Sequence, residues 1–255
     1  MTKSKVIKIR MNPEEDKIIA GVPNFMKDVL GRTFECLRSA YSKEDRYTSE
    51  GTRLIFPKYS RESSKNTELR VSEQELRFVF VEKFVEYCNA SHEELYYSVE
   101  TPTTDSYLFS EGKTYKSLME KGEKIELPCI HSEGVSGKFD MTIYNKDNNG
   151  EYNTVCLIEF KAGSISEQDF KEVLVKLANP KEKAPSRYII HMVKDKASDN
   201  TIENMMAAIK WLYEESDIKG NSKRIEQVLI PLTGENIMQL YSIQDIYHKE
   251  IKNSK

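Results

Sequence analysis

The sequence predicts an α/β protein with a central mixed β-sheet flanked by helices. Three observations point there. Lys138 to Tyr144 alternates between two faces as a strand does, and Thr154 to Phe160 is a nearly continuous apolar run, as in a strand buried on both sides. Asn145 to Asn153, Asn-Lys-Asp-Asn-Asn-Gly-Glu-Tyr-Asn, is turn chemistry, so the two strands read as neighbours across a turn. Helix and strand signals then alternate: Glu167 to Leu177 helical, Arg187 to Val193 extended, Thr201 to Glu215 helical, Gln227 to Leu232 extended. Strands followed by helix-linked strands give a layered sandwich.

Taken in order, Val6 to Ile9 reads as a short strand and Pro13 to Leu30 as a helix, with Phe25, Val29 and Leu30 apolar and Gly31 as its stop. Arg32 to Tyr41 reads as a second helix. From Ser42 to Asn66 the chain is polar, with Arg46, Arg53, Lys58, Arg61 and Lys65 interleaved with Tyr47, Phe56 and Tyr59. Spaced cations among aromatics suit phosphate contacts and base stacking, and a solvated loop whose aromatics pack on the core is the competing reading. Ser72 opens a clear helix, with Glu75 completing a capping-box pattern. Leu76, Phe80, Val81, Phe84, Tyr87 and Cys88 form its apolar face. Glu73 and Arg77 fall in the middle of that face, four residues apart and close enough to pair.

Tyr96 to Glu100 reads as a strand, Tyr115 to Lys121 as a short helix and Lys124 to Ile130 as a further strand, with His131 in a polar loop. Ser166 caps the helix that Asn179-Pro180 ends. Met205, Met206, Ala207, Ile209 and Trp211 are core candidates, and the amphipathic tail from Glu235 reads as a docking helix. No linker or repeat divides the chain; composition alone separates a basic, partly helical extension, 1–70, from a core, 71–255.

At 38% hydrophobic residues over 255 positions the chain can bury a substantial core. No run of 18 apolar residues exists and the N-terminus lacks the apolar centre of a signal peptide, so a soluble, cytoplasmic protein without membrane contact is expected. Cys36, Cys88, Cys129 and Cys156 are far apart with no Cys-x-x-Cys pair, and because Cys88 and Cys156 fall in apolar stretches, buried thiols are expected rather than zinc ligands or disulfides. The net charge of −3 argues against a large nonspecific nucleic-acid surface but permits a local one. Residues 1–71 balance at +5 and the remainder at −8.

The chemistry concentrates at one strand end. Side chains two apart on a strand share a face, so Glu159 and Lys161 point one way and Phe160 the other, and pairing of the two strands brings Asp140 beside Glu159. Two carboxylates and an ammonium at the end of a buried strand are costly unless they bind something, and they form a compact site for a divalent cation. Asp140 followed by Glu159-Phe160-Lys161 resembles the PD-(D/E)xK nucleases, with Phe139 where that signature has proline. Glu73-Gln-Glu-Leu-Arg77, an apolar helix, the strand at Tyr96 and the Asp140 and Glu159 strands together look like the nuclease domain of type I restriction motor subunits. The likeness covers about residues 70 to 195, and no phosphate-binding loop of a motor is present.

That resemblance implies a restriction-endonuclease-like sandwich with an N-terminal helical extension. It implies a Mg²⁺-dependent nuclease, Mn²⁺ substituting, with Asp140, Glu159 and the Phe160 carbonyl as metal ligands. Lys161 is then catalytic, Glu73 lies near the site with Arg77 steadying it, and Gln168 matches loosely a glutamine beside the metal. DNA is the expected substrate, RNA a second, and a homodimer or a partner subunit fits such a system. The alternative is a catalytically silent nucleic-acid-binding or assembly subunit that keeps the fold.

Overall fold

The computed structural model describes residues 22–42, 54–60, 67–194, 199–218, 225–233 and 238–251. Its helices are α1 (Asn24–Ser42), α2 (Glu73–Ser91), α3 (Lys113–Glu120), α4 (Glu167–Ala178), α5 (Asp199–Glu214) and the single turn α6 (Ile243–Ile246), which continues as a π-helical turn, Tyr247–Ile251. The strands are β1 (Lys58–Ser60), β2 (Thr67–Leu69), β3 (Leu95–Leu108), β4 (Cys129–Ile130), β5 (Val135–Lys146), β6 (Tyr152–Ala162), β7 (Ser186–Val193), β8 (Ile225–Pro231) and β9 (Gln239–Ser242).

Strands β1 and β2 form a small hairpin, and the other seven form one mixed sheet ordered β4-β3-β5-β6-β7-β8-β9. Strand β5 runs antiparallel to both β3 and β6, β7 and β8 run parallel to β6, and β9 is antiparallel to β8. Parallel neighbours need a crossover, and α4 and α5 supply the two. An apolar layer lies on each face of the sheet. Helices α1 and α2 cover one, packing Phe25, Met26, Leu76, Phe80 and Phe84 on Met141, Ile158 and Phe160. Helices α4 and α5 cover the other, with Phe170, Leu174, Ile209 and Trp211 over Phe139, Leu157 and Ile189. This is the α/β sheet flanked by helices that the periodicity predicts.

Several boundaries differ from expectation. Gly31 does not stop a helix: α1 is continuous from Asn24, because burial of Val29, Leu30, Thr33 and Leu37 along one side outweighs the small helix cost of one glycine. The strand expected at Tyr96 to Glu100 extends to Leu108, and that at Lys124 to Ile130 shrinks to Cys129–Ile130. The expected docking tail begins instead as β9, whose backbone pairs with the edge of β8. Of the helix expected from Pro13, residues 13–21 lie outside the described residues, as does the strand at Val6, and Val22 and Pro23 are not helical, so α1 begins only at Asn24. Among the described residues no helix is long and apolar enough to cross a membrane, and all four cysteines are free thiols.

Candidate active site

The hairpin of β5 and β6 pairs from its turn as far as Met141 opposite Ile158, with one register shift between Ile143 and Tyr144 where β6 carries an extra residue, Val155. There the ladder gives out. Met141 faces the α1/α2 layer while Phe139, two residues earlier, faces the α4/α5 layer, so the strand turns over at Asp140. On the other side of β5, Glu100 sits between the pairs Val99–Met141 and Thr101–Phe139 with φ 52°, a left-handed conformation that a glutamate adopts at a cost. A side chain takes over where the ladder stops: Asp140 Oδ2 accepts the Phe160 N–H at 2.7 Å. A residue's N–H and C=O leave a strand on the same side, so the Phe160 carbonyl also faces Asp140.

The other oxygen of Asp140 is held by the Arg77 guanidinium from the second turn of α2, which also donates to Glu100 at 3.2 Å. One turn earlier on the same helix, Glu73 Oε1 lies 3.4 Å from Lys161 Nζ. The Glu73–Arg77 pair anticipated from their spacing therefore does not form. Each residue finds a strand partner of opposite charge instead, because the first turn of α2 overhangs the strand ends. Glu75 behaves as predicted, its carboxylate accepting the Ser72 N–H at 2.9 Å. Ring packing fixes the overhang: Phe80 meets Phe160 edge-on at 5.4 Å between centroids.

Glu159 is 2% exposed, and its charge partner is a residue that sequence reasoning did not single out: Lys176 of α4, whose Nζ contacts Glu159 Oε1 and donates to the Lys138 carbonyl at 2.8 Å. A helical pattern does place Lys176 on the sheet-facing side of α4, between the buried Val173, Val175 and Leu177, and a cation in that position was the available signal. Burial raises the Glu159 carboxyl to about 7, against the pull of Lys176, with Asp140 adding to the rise. For Lys161, burial alone would lower the ammonium, but Glu73, Glu159 and Asp140 together hold it above its ordinary 10.5. Sequence leaves that contest open, and the structure resolves it for the charged amine.

Glu73, Glu159, Lys161 and Lys176 line one cleft of about 570 Å³, roofed by α4 and floored by Gly137 and Lys138. Its inner wall is the loop Gly163 to Ile165. Gly163 takes φ 73°, for which glycine is suited, and its carbonyl accepts from His191 Nε2 at 2.6 Å. His191 is fully buried beside Lys161 in the β6–β7 register, and burial lowers its pKa to about 4, so the ring is neutral.

Other predicted residues lie elsewhere. Gln168 donates to the Phe109 carbonyl at 2.9 Å and does not line the cleft. His131 accepts the Glu133 N–H and lies 3.5 Å from Glu123, away from the carboxylates. Of the five proposed nucleic-acid cations only Lys58 is described, exposed on β1; Arg46, Arg53, Arg61 and Lys65 fall outside the described residues. Phe56 is 2% exposed and packs on Tyr41, so it is core rather than a stacking platform for a base.

Asp140, Glu159 and the Phe160 carbonyl offer only oxygen donors, the type Mg²⁺ takes alongside retained waters. Asp140 is tied to Arg77 and to the Phe160 N–H, and Glu159 is buried against Lys176. Among the described residues no group of three or more His, Cys, Asp or Glu side chains is placed to hold a metal ion. No family model, no curated protein and no solved structure matches the chain.

Proposed function

We propose that the protein is a divalent-metal-dependent nuclease with a restriction-endonuclease-like core, acting on DNA as an endonuclease of a restriction, defence or DNA-processing system. The observation that carries this reading is that Glu73, Glu159 and Lys161 line one cleft at a splayed strand end, while Asp140 is bonded to the N–H of Phe160, the residue between Glu159 and Lys161. Asp140, Glu159 and the Phe160 carbonyl would hold the ion. When bound, Mg²⁺ or Mn²⁺ would activate a water and neutralise charge building on the scissile phosphate. Lys161, kept charged by its three carboxylate neighbours, supplies a fixed ammonium for the developing negative charge on phosphate oxygen. Glu73 orients that ammonium. Arg77 fixes Asp140 against β6, and His191 holds the loop after Lys161 in place through the Gly163 carbonyl.

One observation favours a second reading. Arg77 and Lys176 already neutralise the two carboxylates, which is what a catalytically silent nucleic-acid-binding or assembly subunit retaining the fold would need. Incubation with closed circular and linear DNA, with and without Mg²⁺ or Mn²⁺, separates the two. Metal-dependent cutting of the circle is the expected result, and DNA binding without cutting would favour the silent subunit. An RNA substrate run alongside distinguishes the polymers.

A further inference from the structure

Building on the metal-dependent reading above, we propose that Lys176 is a resident counter-cation of Glu159, which holds this ligand in the metal-free protein and turns toward substrate phosphate once a divalent ion replaces it.

Three features carry this. Lys176 and Glu159 side chains are 12% and 3% exposed, so each is the other's main source of charge compensation in a place water hardly reaches. The lysine stem runs through a space that is kept free: a Cβ on Gly137 would lie 3.1 Å from Lys176 Cδ. The ammonium lines the same cleft as Lys161 and Glu73, so a short swing carries it from carboxylate to substrate without leaving the site. The contrast with Arg77 points the same way. Arg77 is a planar fork tied to both Asp140 and Glu100, whereas Lys176 is a point charge on a flexible stem, held by Glu159, the Lys138 carbonyl and the face of the Phe139 ring. An ammonium on Glu159 Oε1 and a divalent ion on the same carboxylate repel each other, so an ion bound through Glu159 favours the departure of Lys176. A lysine that is only structural would affect stability and leave ion affinity alone.

The test is calorimetric titration of Mn²⁺ into the full chain without DNA, for the wild type, Lys176→Met and Lys176→Arg, with melting temperatures and cleavage rates measured on the same samples. Lys176→Met should bind Mn²⁺ about tenfold tighter or more. It should melt lower in metal-free buffer, recover on adding Mn²⁺, and yet cut DNA about tenfold more slowly at saturating Mn²⁺. Lys176→Arg, which keeps a charge on Glu159 and safeguards folding, should bind Mn²⁺ no more tightly than the wild type. The double variant Glu159→Gln/Lys176→Met should regain the metal-free stability that Lys176→Met loses. If Lys176→Met binds Mn²⁺ as the wild type does, or more weakly, the counter-cation role is wrong and the metal-site reading stands. If neither protein binds Mn²⁺, both fall.

Discussion

The two ends of the β5–β6 hairpin each carry an aspartate, and the two do opposite work. At the turn end, Asp147 Oδ1 accepts the N–H groups of Asn149 and Glu151 at 2.8 and 2.9 Å, closing its own loop in solvent. At the other end, Asp140 accepts an N–H from the neighbouring strand and a guanidinium from a helix 63 positions away in the chain. The first carboxylate is satisfied locally, and its low pKa follows from the backbone donors of its turn. The second is satisfied only by tertiary structure, among groups whose charges compete. The difference teaches where chemistry resides in this molecule: at the end where the ladder is broken, side chains replace backbone partners and charges are gathered from α2, β3, β5, β6 and α4.

That contrast is easiest to break at its largest effect. Asp140→Asn or Glu159→Gln should reduce metal-dependent DNA cleavage at least about a hundredfold while the protein still folds and binds DNA. Plasmid nicking with parallel thermal melts checks this, and unchanged cleavage in either variant ends the metal-site reading. Lys161→Ala should lower turnover by about an order of magnitude or more yet leave ion binding in place. Loss of ion binding there would reassign the lysine.

His191 sharpens the comparison through pH. Its folded pKa is depressed to about 4 from 6.5 by burial, so the folded state refuses a proton that the unfolded chain takes. Stability from this group is therefore complete above pH 6.5 and is lost as pH falls toward 4, by about 3 kcal/mol at most. Urea titrations of wild type and His191→Phe across that window should differ by this loss on acidification, the variant keeping the opposite trend that Glu159 contributes through its raised pKa of about 7. An equal slope in both would place the acid sensitivity elsewhere.

The two helix carboxylates give a smaller effect. Glu73→Gln should slow cleavage several-fold with little change in melting temperature, since Glu73 touches Lys161 at the cleft. Glu75→Gln should leave both nearly as they are, because a glutamine can still accept the Ser72 N–H. If Glu75→Gln is the slow variant, the role given to the first turn of α2 is wrong. Smallest of all, Asp147→Ala should lower the melting temperature slightly and change nothing in cleavage.

How much of this was legible in sequence follows the same division. The hairpin, the Ser72 helix with Glu75 at its cap, and helix α4 with Ser166 at its N-terminus depend on contacts a few residues apart, and their spacing is visible in the chain. The antiparallel pairing of the strands that carry Asp140 and Glu159 was also legible, because it follows from the turn between them. The partners were not. Spacing four apart on a helix suggested that Glu73 would meet Arg77, but strand charges at closer reach took each of them. Lys176 was missed because one lysine among the apolar residues of α4 looks like any amphipathic boundary until the crossover sets it over Glu159. Gly31 misled for a related reason: helix propensity is small beside the burial of the neighbouring side chains.

The most direct test of the central claim, that the splayed end of the hairpin is a metal centre, is calorimetric titration of Mn²⁺ into the wild-type protein and its Asp140→Asn, Glu159→Gln and Asp147→Asn variants. The account predicts binding in the wild type and in Asp147→Asn, and its loss in both Asp140→Asn and Glu159→Gln. Retained binding in those last two, or no binding in the wild type, would contradict it.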